Sequence, residues 1–191
     1  MVAKDKFRPK KDVTIATLPI ITKEFTMSLE MNASSFSNAY HNIIHMTKKG
    51  NGDIYGDRIP LVGINGARAV ISYAVNDNKN YHKYININKN EWVSFEVSQR
   101  HERTGEYRYK VLKNGAEENA FSTINRRPLD FEHVLVYASD PWYVSFDGLI
   151  RNIEVCIAGK YILIYTLVNL NGHLDQDIFS SLMISNAYQF I

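Results

Sequence analysis

The stretch Phe25–Asn32 reads FTMSLEMN, with an apolar residue at every second position. Successive side chains of a β-strand point to opposite faces of the sheet, so the apolar residues of this stretch share one face. Thr, Ser, Glu and Asn occupy the other face. The stretch therefore predicts a half-buried β-strand with one solvated side.

Similar short stretches recur along the chain, and polar residues that favour turns separate them. Two Asn-Gly pairs, Asn65-Gly66 and Asn114-Gly115, suit tight turns because both residue types tolerate positive φ. Further strands are predicted over residues 41–47, 58–64, 68–75, 81–87, 92–99, 107–112, 134–138 and 149–155. Their regular spacing, without helical patterning between them, predicts an all-β fold, an antiparallel β-sandwich of the jelly-roll type.

The chain length of 191 residues fits one domain with a substantial core. We expect residues 1–12 to form a basic N-terminal arm and residues 13–155 to form the β-sandwich domain. Near Val155 the polar–apolar alternation gives way to a hydrophobic run. Residues 156–191 are therefore either closing strands of the sandwich or a C-terminal extension, and the sequence leaves both open.

Charge and hydropathy argue against two classes of partner. The formal net charge is only +2, and the basic residues are scattered apart from the N-terminal arm and one Arg-Arg pair. Nucleic-acid affinity comes from clustered Lys and Arg, so we expect no nucleic-acid binding. The most apolar run is Cys156–Leu170, which Gly159 and Lys160 interrupt. Its remainder, residues 161–170, is about half as long as a membrane-spanning helix requires, which predicts a buried strand and no membrane span.

Five segments carry a resemblance to a known family: His41–Thr47 (HNIIHMT), Gly50–Pro60 (GNGDIYGDRIP), Trp92–Gln99 (WVSFEVSQ), Val134–Tyr143 (VLVYASDPWY) and Asp147–Ile153 (DGLIRNI). In this order they resemble the laminin-G-like domains of animal extracellular proteins, which belong to the concanavalin A-like lectin/glucanase superfamily. The resemblance covers residues 13–155. It implies a concanavalin A-like sandwich, a fold that hosts lectins, adhesion modules, pentraxins and glycosidases alike.

The resemblance also implies a secreted or extracellular protein, while the residues themselves leave a cytoplasmic location open. The first twelve residues are rich in Lys, Asp and Arg and do not resemble a signal peptide, so we expect an exported form to begin after a cleaved signal. Asn32-Ala33-Ser34 is a glycosylation acceptor sequence. The single cysteine, Cys156, has no partner for an intramolecular disulfide, and we expect it to be a buried, small apolar side chain.

Catalysis is not expected. Glycosidases need two carboxylates that face each other across a cleft, and on one strand they would follow a pattern such as E-x-D-x-E. Glu96 stands in a suitable strand, but its neighbours on the same face are Ser94 and Ser98. Asp130 and Glu132 are the best remaining pair. The sequence therefore predicts a protein that is not an enzyme, with a diverged glycosidase as one alternative.

Two histidines invite a metal interpretation that their spacing excludes. His41 and His45 share a face of a predicted strand, but at this rise per residue they lie about 13 Å apart. Two imidazoles on one zinc ion need nitrogens about 2 Å from the metal. We therefore expect His41 and His45 to be hydrogen-bonded strand residues.

Calcium is the one cofactor that the sequence suggests, because it prefers oxygen ligands from loops. The candidate metal ligands are Asp53 and Asp57 in one loop and Asp140 in another, and the resemblance adds that such folds often hold calcium at one rim of the sandwich. The same residues also allow interpretations that need no metal ion. Asp57 and Arg58 could form an ion pair that orders the loop, and Ser139–Pro141 an ordinary turn.

Sugar recognition uses aromatic faces with hydrogen-bonding groups nearby. The predicted ligand-binding residues are Tyr55, Asp57, Asp140, Trp142 and Tyr143, although Trp142 could instead cap the core. The leading interpretation is a non-catalytic extracellular module that binds a glycan or a protein partner, assisted by calcium if the ion is present. The alternative is a structural or self-associating matrix or adhesion domain without a small ligand.

Overall fold

A computed structural model describes residues 6–52, 54–157, 160–163 and 184–185. Within these ranges the chain folds into β-strands that turns and loops connect. The strands are β1 (Thr14–Ile21), β2 (Phe25–Ala33), β3 (Tyr40–Thr47), β4 (Leu61–Asn65), β5 (Arg68–Val75), β6 (Asn78–Asn86), β7 (Trp92–His101), β8 (Tyr107–Lys113), β9 (Ala116–Asn125), β10 (Phe131–Tyr137), β11 (Val144–Ser145), β12 (Gly148–Ile157), β13 (Lys160–Leu163) and β14 (Ile184–Ser185).

Two sheets stack against each other around one core. The first sheet has the strand order β1-β10-β3-β4-β5-β6, and the short β11 pairs with β3. The second sheet has the order β14-β13-β12-β2-β7-β8-β9. The pairings are antiparallel, except that β11 runs parallel to β3. The predicted all-β antiparallel sandwich is confirmed.

Strand β2 shows how the sequence builds the core. Its apolar positions, from Phe25 to Met31, are buried, and the polar residues between them are half-buried. Leu29 is paired in register with Phe95 of β7, so apolar side chains of neighbouring strands meet on the same face. The inner faces of both sheets contribute to a single cluster of buried apolar residues. Burial of such side chains is the main source of stability.

The two Asn-Gly pairs behave differently. Asn114 and Gly115 both have positive φ (52° and 72°) and form the two-residue turn between β8 and β9, as predicted. Asn65 instead pairs with Arg68, so the turn residues between β4 and β5 are Gly66 and Ala67. Of these two, Gly66 has a positive φ of 59°. The hairpin lies one residue later than predicted because a single residue with positive φ suffices for this turn.

Strand β3 departs from simple alternation, and this departure positions the candidate site. Six consecutive residues, from Asn42 to Thr47, are buried. Ile44 and Met46 point into the core, whereas His45 lies on the opposite face of the first sheet. We call this the outer face. Because it too is covered at β3, the chain must fold loops over it.

Residues near both predicted domain boundaries join the sheets. Phe7, in the predicted arm, exchanges two backbone hydrogen bonds with Ile150 of β12, at 3.0 and 2.9 Å. Strand β12 continues to Ile157, and the free Cys156 within it is buried, as expected. The apolar run 161–170 enters β13 at residues 161–163, and its remainder lies outside the described residues. In the described part of the chain, no helix is long and apolar enough for a membrane crossing.

Candidate functional site

The outer face of the first sheet carries aligned rows of side chains. Backbone pairing places Tyr137, His45, Leu61, Ser72 and His82 in one row across five strands, from β10 to β6. His45, Leu61 and Ser72 are buried, although they face away from the core. Cover therefore extends over the middle of this face, and it comes from the loops 48–60 and 138–143.

His45 holds these two loops against the sheet through hydrogen bonds. Its Nδ1 lies 2.8 Å from Asp140 Oδ2, and its Nε2 lies 2.5 Å from the backbone oxygen of Asp57. The Asp57 carbonyl can only accept, so Nε2 donates to it, and one proton lies between Nδ1 and the Asp140 carboxyl. His45 and Asp140 have no exposed side-chain surface. The expectation of a hydrogen-bonded strand histidine is confirmed.

Asp140 also shapes its own loop. Its Oδ1 accepts the backbone N–H groups of Trp142 (3.1 Å) and Tyr143 (2.9 Å), and its own N–H donates to Asn42 Oδ1 at 2.9 Å. This is an Asp-centred turn in which one carboxylate satisfies backbone donors two and three residues later. The turn predicted at 139–141 is therefore present, and it presents two consecutive aromatic residues on the outer face.

The two aromatic residues pack onto the sheet rather than into the core. The Trp142 ring lies 5.6 Å from the His45 ring and 5.9 Å from the Tyr137 ring, and 43% of Trp142 is exposed. The Tyr143 ring lies 4.6 Å from that of Tyr40. Trp142 therefore does not cap the core, and its exposed ring is available on the surface.

Tyr40 lies across the sheet over a glycine. A Cβ added at Gly63 would come within 2.5 Å of Tyr40 Cζ and 2.6 Å of the His41 carbonyl oxygen. Burial raises the pKa of Tyr40 well above its ordinary value, and Tyr143 and Asp140 add to this rise. Arg58 opposes the rise, and Tyr84 adds a further contribution. Tyr40 is thus a neutral phenol. We call Tyr40, Tyr84, Trp142 and Tyr143 the aromatic platform.

Hydrogen bonds between its own residues hold the conformation of the loop 48–60. The Gly52 N–H donates to Asp57 Oδ2 at 2.8 Å, and the Arg58 guanidinium donates to Gly52 O at 3.2 Å and to Asn51 Oδ1 at 3.1 Å. Asp57 is itself 5% exposed. Its carboxylate therefore holds the loop, while its backbone oxygen holds His45. Asp53 lies outside the described residues.

Tyr55 belongs to a different place, a small cavity at one end of the sandwich. Its hydroxyl donates to Asn76 O, and it lines the cavity with the rings of Tyr73 and Tyr109 among others. The cavity volume is about 20 Å³. Tyr73 and Tyr109 stack at 3.6 Å, and their buried hydroxyls have no hydrogen-bond partner among the described residues. Burial raises the pKa of both phenols.

The structure therefore brings together four of the five predicted ligand-binding residues, Asp57, Asp140, Trp142 and Tyr143, and separates Tyr55 from them. The two carboxylates are buried supports, and the two aromatic residues form surface. Oδ1 of Asp140 accepts two backbone N–H groups, and its Oδ2 lies 2.8 Å from His45 Nδ1. No group of three His, Cys, Asp or Glu residues in the described ranges could hold a metal ion. With Asp53 outside those ranges, calcium stays a prediction.

Tyr40 and Tyr84 belong to the site, and sequence reasoning missed them. Tyr84 is 47% exposed on edge strand β6. A large aromatic residue in a mostly polar segment, as in His82–Asn86 (HKYIN), was the available signal. The sequence signal for Tyr40 was weaker, because only the strand register shows that Tyr40 lies over Gly63.

Comparison with known proteins bears on the fold. No protein-family model matches the sequence, and no curated protein matches it significantly. The structure is similar to a native heptameric SAP-like pentraxin from Limulus polyphemus, with a TM-score of 0.54, 13% identity and coverage of 78% of this chain and 74% of that one. It is also similar to the receptor binding domain of botulinum neurotoxin D, with a TM-score of 0.50 and 12% identity.

The second match covers 72% of this chain but spans 34% of the toxin domain. A weaker match is the IT-sialidase CBM40 of Ruminococcus gnavus, bound to alpha2,3 sialyllactose, with a TM-score of 0.47 and 11% identity over 69% of this chain and 76% of that one. At such identities, likeness shows the fold alone. The fold is a concanavalin A-like jelly-roll sandwich, and the narrower laminin-G resemblance stays a prediction.

Proposed function

We propose that this domain is a non-catalytic recognition module that binds a glycan on the aromatic platform. The observation that carries this proposal is the exposure of Trp142 and Tyr84 (43% and 47%) on the one sheet face whose interior is fixed by the buried His45–Asp140 pair. Aromatic rings held rigidly at a surface pack against the apolar faces of sugars, and nearby polar groups bind the hydroxyls.

The platform is rigid because its supports are buried. Asp140 fixes the backbone of Trp142 and Tyr143, and His45 fixes Asp140. Little conformational entropy is therefore lost when a ligand contacts these rings, and preorganisation of this kind favours binding. The fold is shared with the receptor binding domain of botulinum neurotoxin D, which is compatible with the proposal.

Of the carboxylates that were candidates for catalysis, Asp130 is engaged in structure. Its Oδ1 accepts the Lys23 N–H at 2.7 Å, just before β10 begins. Glu132, the other member of that pair, is exposed on β10. The engagement of Asp130 favours a role in binding rather than in glycoside hydrolysis, which needs two carboxylates directed at a substrate.

An extracellular location and calcium assistance remain part of this proposal. The acceptor residue Asn32 lies on β2 and is half-buried, paired in register with Trp92. Calcium would act through the loop 48–60, where Asp53 lies, rather than through Asp140.

A glycan array tests the proposal, run with calcium and again with a chelator. We expect the wild-type domain to bind, and Trp142→Ala and Tyr84→Ala to weaken binding by about tenfold or more, because each removes a stacking face. Trp92→Ala is the matched control, since Trp92 lies on the outer face of the second sheet, beneath Arg151.

The outcomes separate the possibilities. Loss of the signal in chelator would support calcium assistance, and an unchanged signal would remove calcium from the proposal. Silence of the wild-type domain on all glycans, or equal effects of the platform and control variants, would contradict glycan binding at the platform.

A further inference from the structure

One corner of the outer face combines an exposed ring with an arginine. Arg68 begins β5, and its guanidinium carbon lies 4.6 Å from the centre of the Tyr84 ring. The register explains this contact, because Tyr84 pairs with Val70 and Arg68 pairs with Asn86, which places Arg68 diagonal to Tyr84 on the same face. Stacking on an aromatic face holds the planar guanidinium and leaves its N–H edge for a ligand.

A second cation lies at the same corner. The Lys113 ammonium, which reaches across from the second sheet, donates to the Asn86 backbone oxygen at 2.8 Å. An ammonium has three N–H donors, so this bond leaves others for a ligand. We call Arg68, Tyr84, Asn86 and Lys113 the basic corner.

Few opposing charges surround the basic corner. Strands β4, β5 and β6 contain no Asp or Glu, while they contain Arg68 and two lysines. Asp77, which precedes β6, is paired with Arg127 at the far end of that strand. Glu91, which follows β6, accepts the Asn88 side-chain amide at 2.8 Å. Arg68 itself has no carboxylate partner among the described residues.

We infer that the basic corner selects acidic saccharides: Arg68 binds a carboxylate or sulfate group of the sugar while the exposed surface of Tyr84 contacts the ring. This inference rests on the proposed glycan binding and names its ligand class. A guanidinium matches both anions because its planar fork donates two parallel hydrogen bonds to a carboxylate or sulfate. Lys113 adds a point charge, and the Asn86 side chain offers an amide for hydroxyl groups.

The test uses an array of matched glycans in which a neutral core is compared with the same core carrying a sulfate or a carboxylated sugar. Arg68→Gln removes the fork, and Arg68→Lys keeps the charge without the fork. Arg103→Gln is the matched control, because Arg103 is exposed in the turn between β7 and β8 and its loss changes the net charge equally. Urea unfolding of each variant establishes that it is folded.

We expect wild type to prefer the acidic members. Arg68→Gln should weaken their binding by about ten- to a hundredfold, the usual effect of losing a charge-assisted pair of hydrogen bonds, and leave neutral glycans within about twofold. Arg68→Lys should show an intermediate loss, and Arg103→Gln should match wild type. A preference for sulfate over carboxylate, or the reverse, would identify which anion the corner takes.

Other outcomes overturn the inference. If wild type binds neutral and acidic glycans equally, glycan binding stands and acid selection is wrong. If Arg68→Gln and Arg103→Gln lose acidic binding to the same extent, the preference reflects net charge and not this corner. If wild type binds no glycan, the proposed function fails, and this inference fails with it.

Discussion

Replacing Asp140 provides a direct test of how the site is held in place. Asp140→Ala removes the acceptor for His45 and for the backbone N–H groups of Trp142 and Tyr143. Removing one partner of a buried ion pair typically costs about 3–5 kcal/mol, because the remaining charge and donors stay desolvated. Asp140 and His45 have 0% side-chain exposure, so little solvent screening reduces this value.

Asp140→Asn is the matched control for shape. The amide oxygen can still accept from Trp142 and Tyr143. Its NH₂ group can donate to His45 Nδ1 once the ring is neutral and keeps its proton on Nε2, facing the Asp57 oxygen. Every hydrogen bond is then retained, and we expect a cost of about 1 kcal/mol. The difference between Asp140→Ala and Asp140→Asn thus measures the donors left unsatisfied together with the volume removed, apart from the loss of the charge.

Urea unfolding measures both variants. With a slope of about 2 kcal/mol per molar urea, Asp140→Ala should lower the midpoint by roughly 2 M and Asp140→Asn by roughly 0.5 M. In wild type, nuclear magnetic resonance should show a proton on Nε2 of His45. An Asp140→Ala midpoint within about 0.5 M of wild type at an unchanged slope, or a wild-type His45 ring without a proton on Nε2, would refute the reasoning.

Three further predictions concern buried groups. Gly63→Ala should destabilise the fold by about 1–3 kcal/mol in urea unfolding, since the new Cβ collides with the Tyr40 ring and the His41 backbone; an unchanged midpoint would contradict the position of Tyr40. Tyr73→Phe and Tyr109→Phe should leave the unfolding midpoint level or raise it, because each removes a buried hydroxyl without a partner; a clear loss of stability would show that the hydroxyls are satisfied. In an alkaline titration followed by ultraviolet absorbance, Tyr40, Tyr73 and Tyr109 should ionise after the exposed tyrosines. Their folded pKa values are raised, so stability is full below the ordinary tyrosine pKa of about 10 and falls as pH rises above it; simultaneous ionisation of all tyrosines in the folded protein would contradict this.

The strands were predictable because period-two patterning reports burial on one face. Stretch 25–32 became β2, with one extra residue at its end. Strands β1 and β9, each at the edge of a sheet, were not predicted, and the prediction also failed where a loop runs beside the sheet. Residues 58–60, predicted as the start of a strand, belong to the loop before β4. Ile59 belongs to the core although it lies in a loop, and the apolar pattern does not distinguish a buried loop residue from a buried strand residue.

The candidate site was predictable in part. Asp140, Trp142 and Tyr143 lie within four residues, so their proximity follows from the chain itself. Tyr55 was misplaced relative to them, because the direction in which a thirteen-residue loop turns depends on contacts such as that with Asn76, which no local pattern encodes. Nothing in the sequence indicated that Arg68 lies at the binding surface. A single basic residue in a strand becomes informative only when the register shows what lies diagonal to it.

The position of the proposed binding surface follows from the burial of His45. A strand that is covered on both faces has consecutive buried residues, as β3 does from Asn42 to Thr47, and an imidazole within it must find acceptors without water. Those acceptors come from loops, so the loops must fold over β3 and β10. The cover ends before the edge strand, and the outer residues of β6 are exposed. A ligand therefore meets the sheet where the cover stops, with Trp142 on the covering side and Tyr84 on the open side. The same buried histidine that stabilises one half of the outer face thereby defines which half remains free to bind.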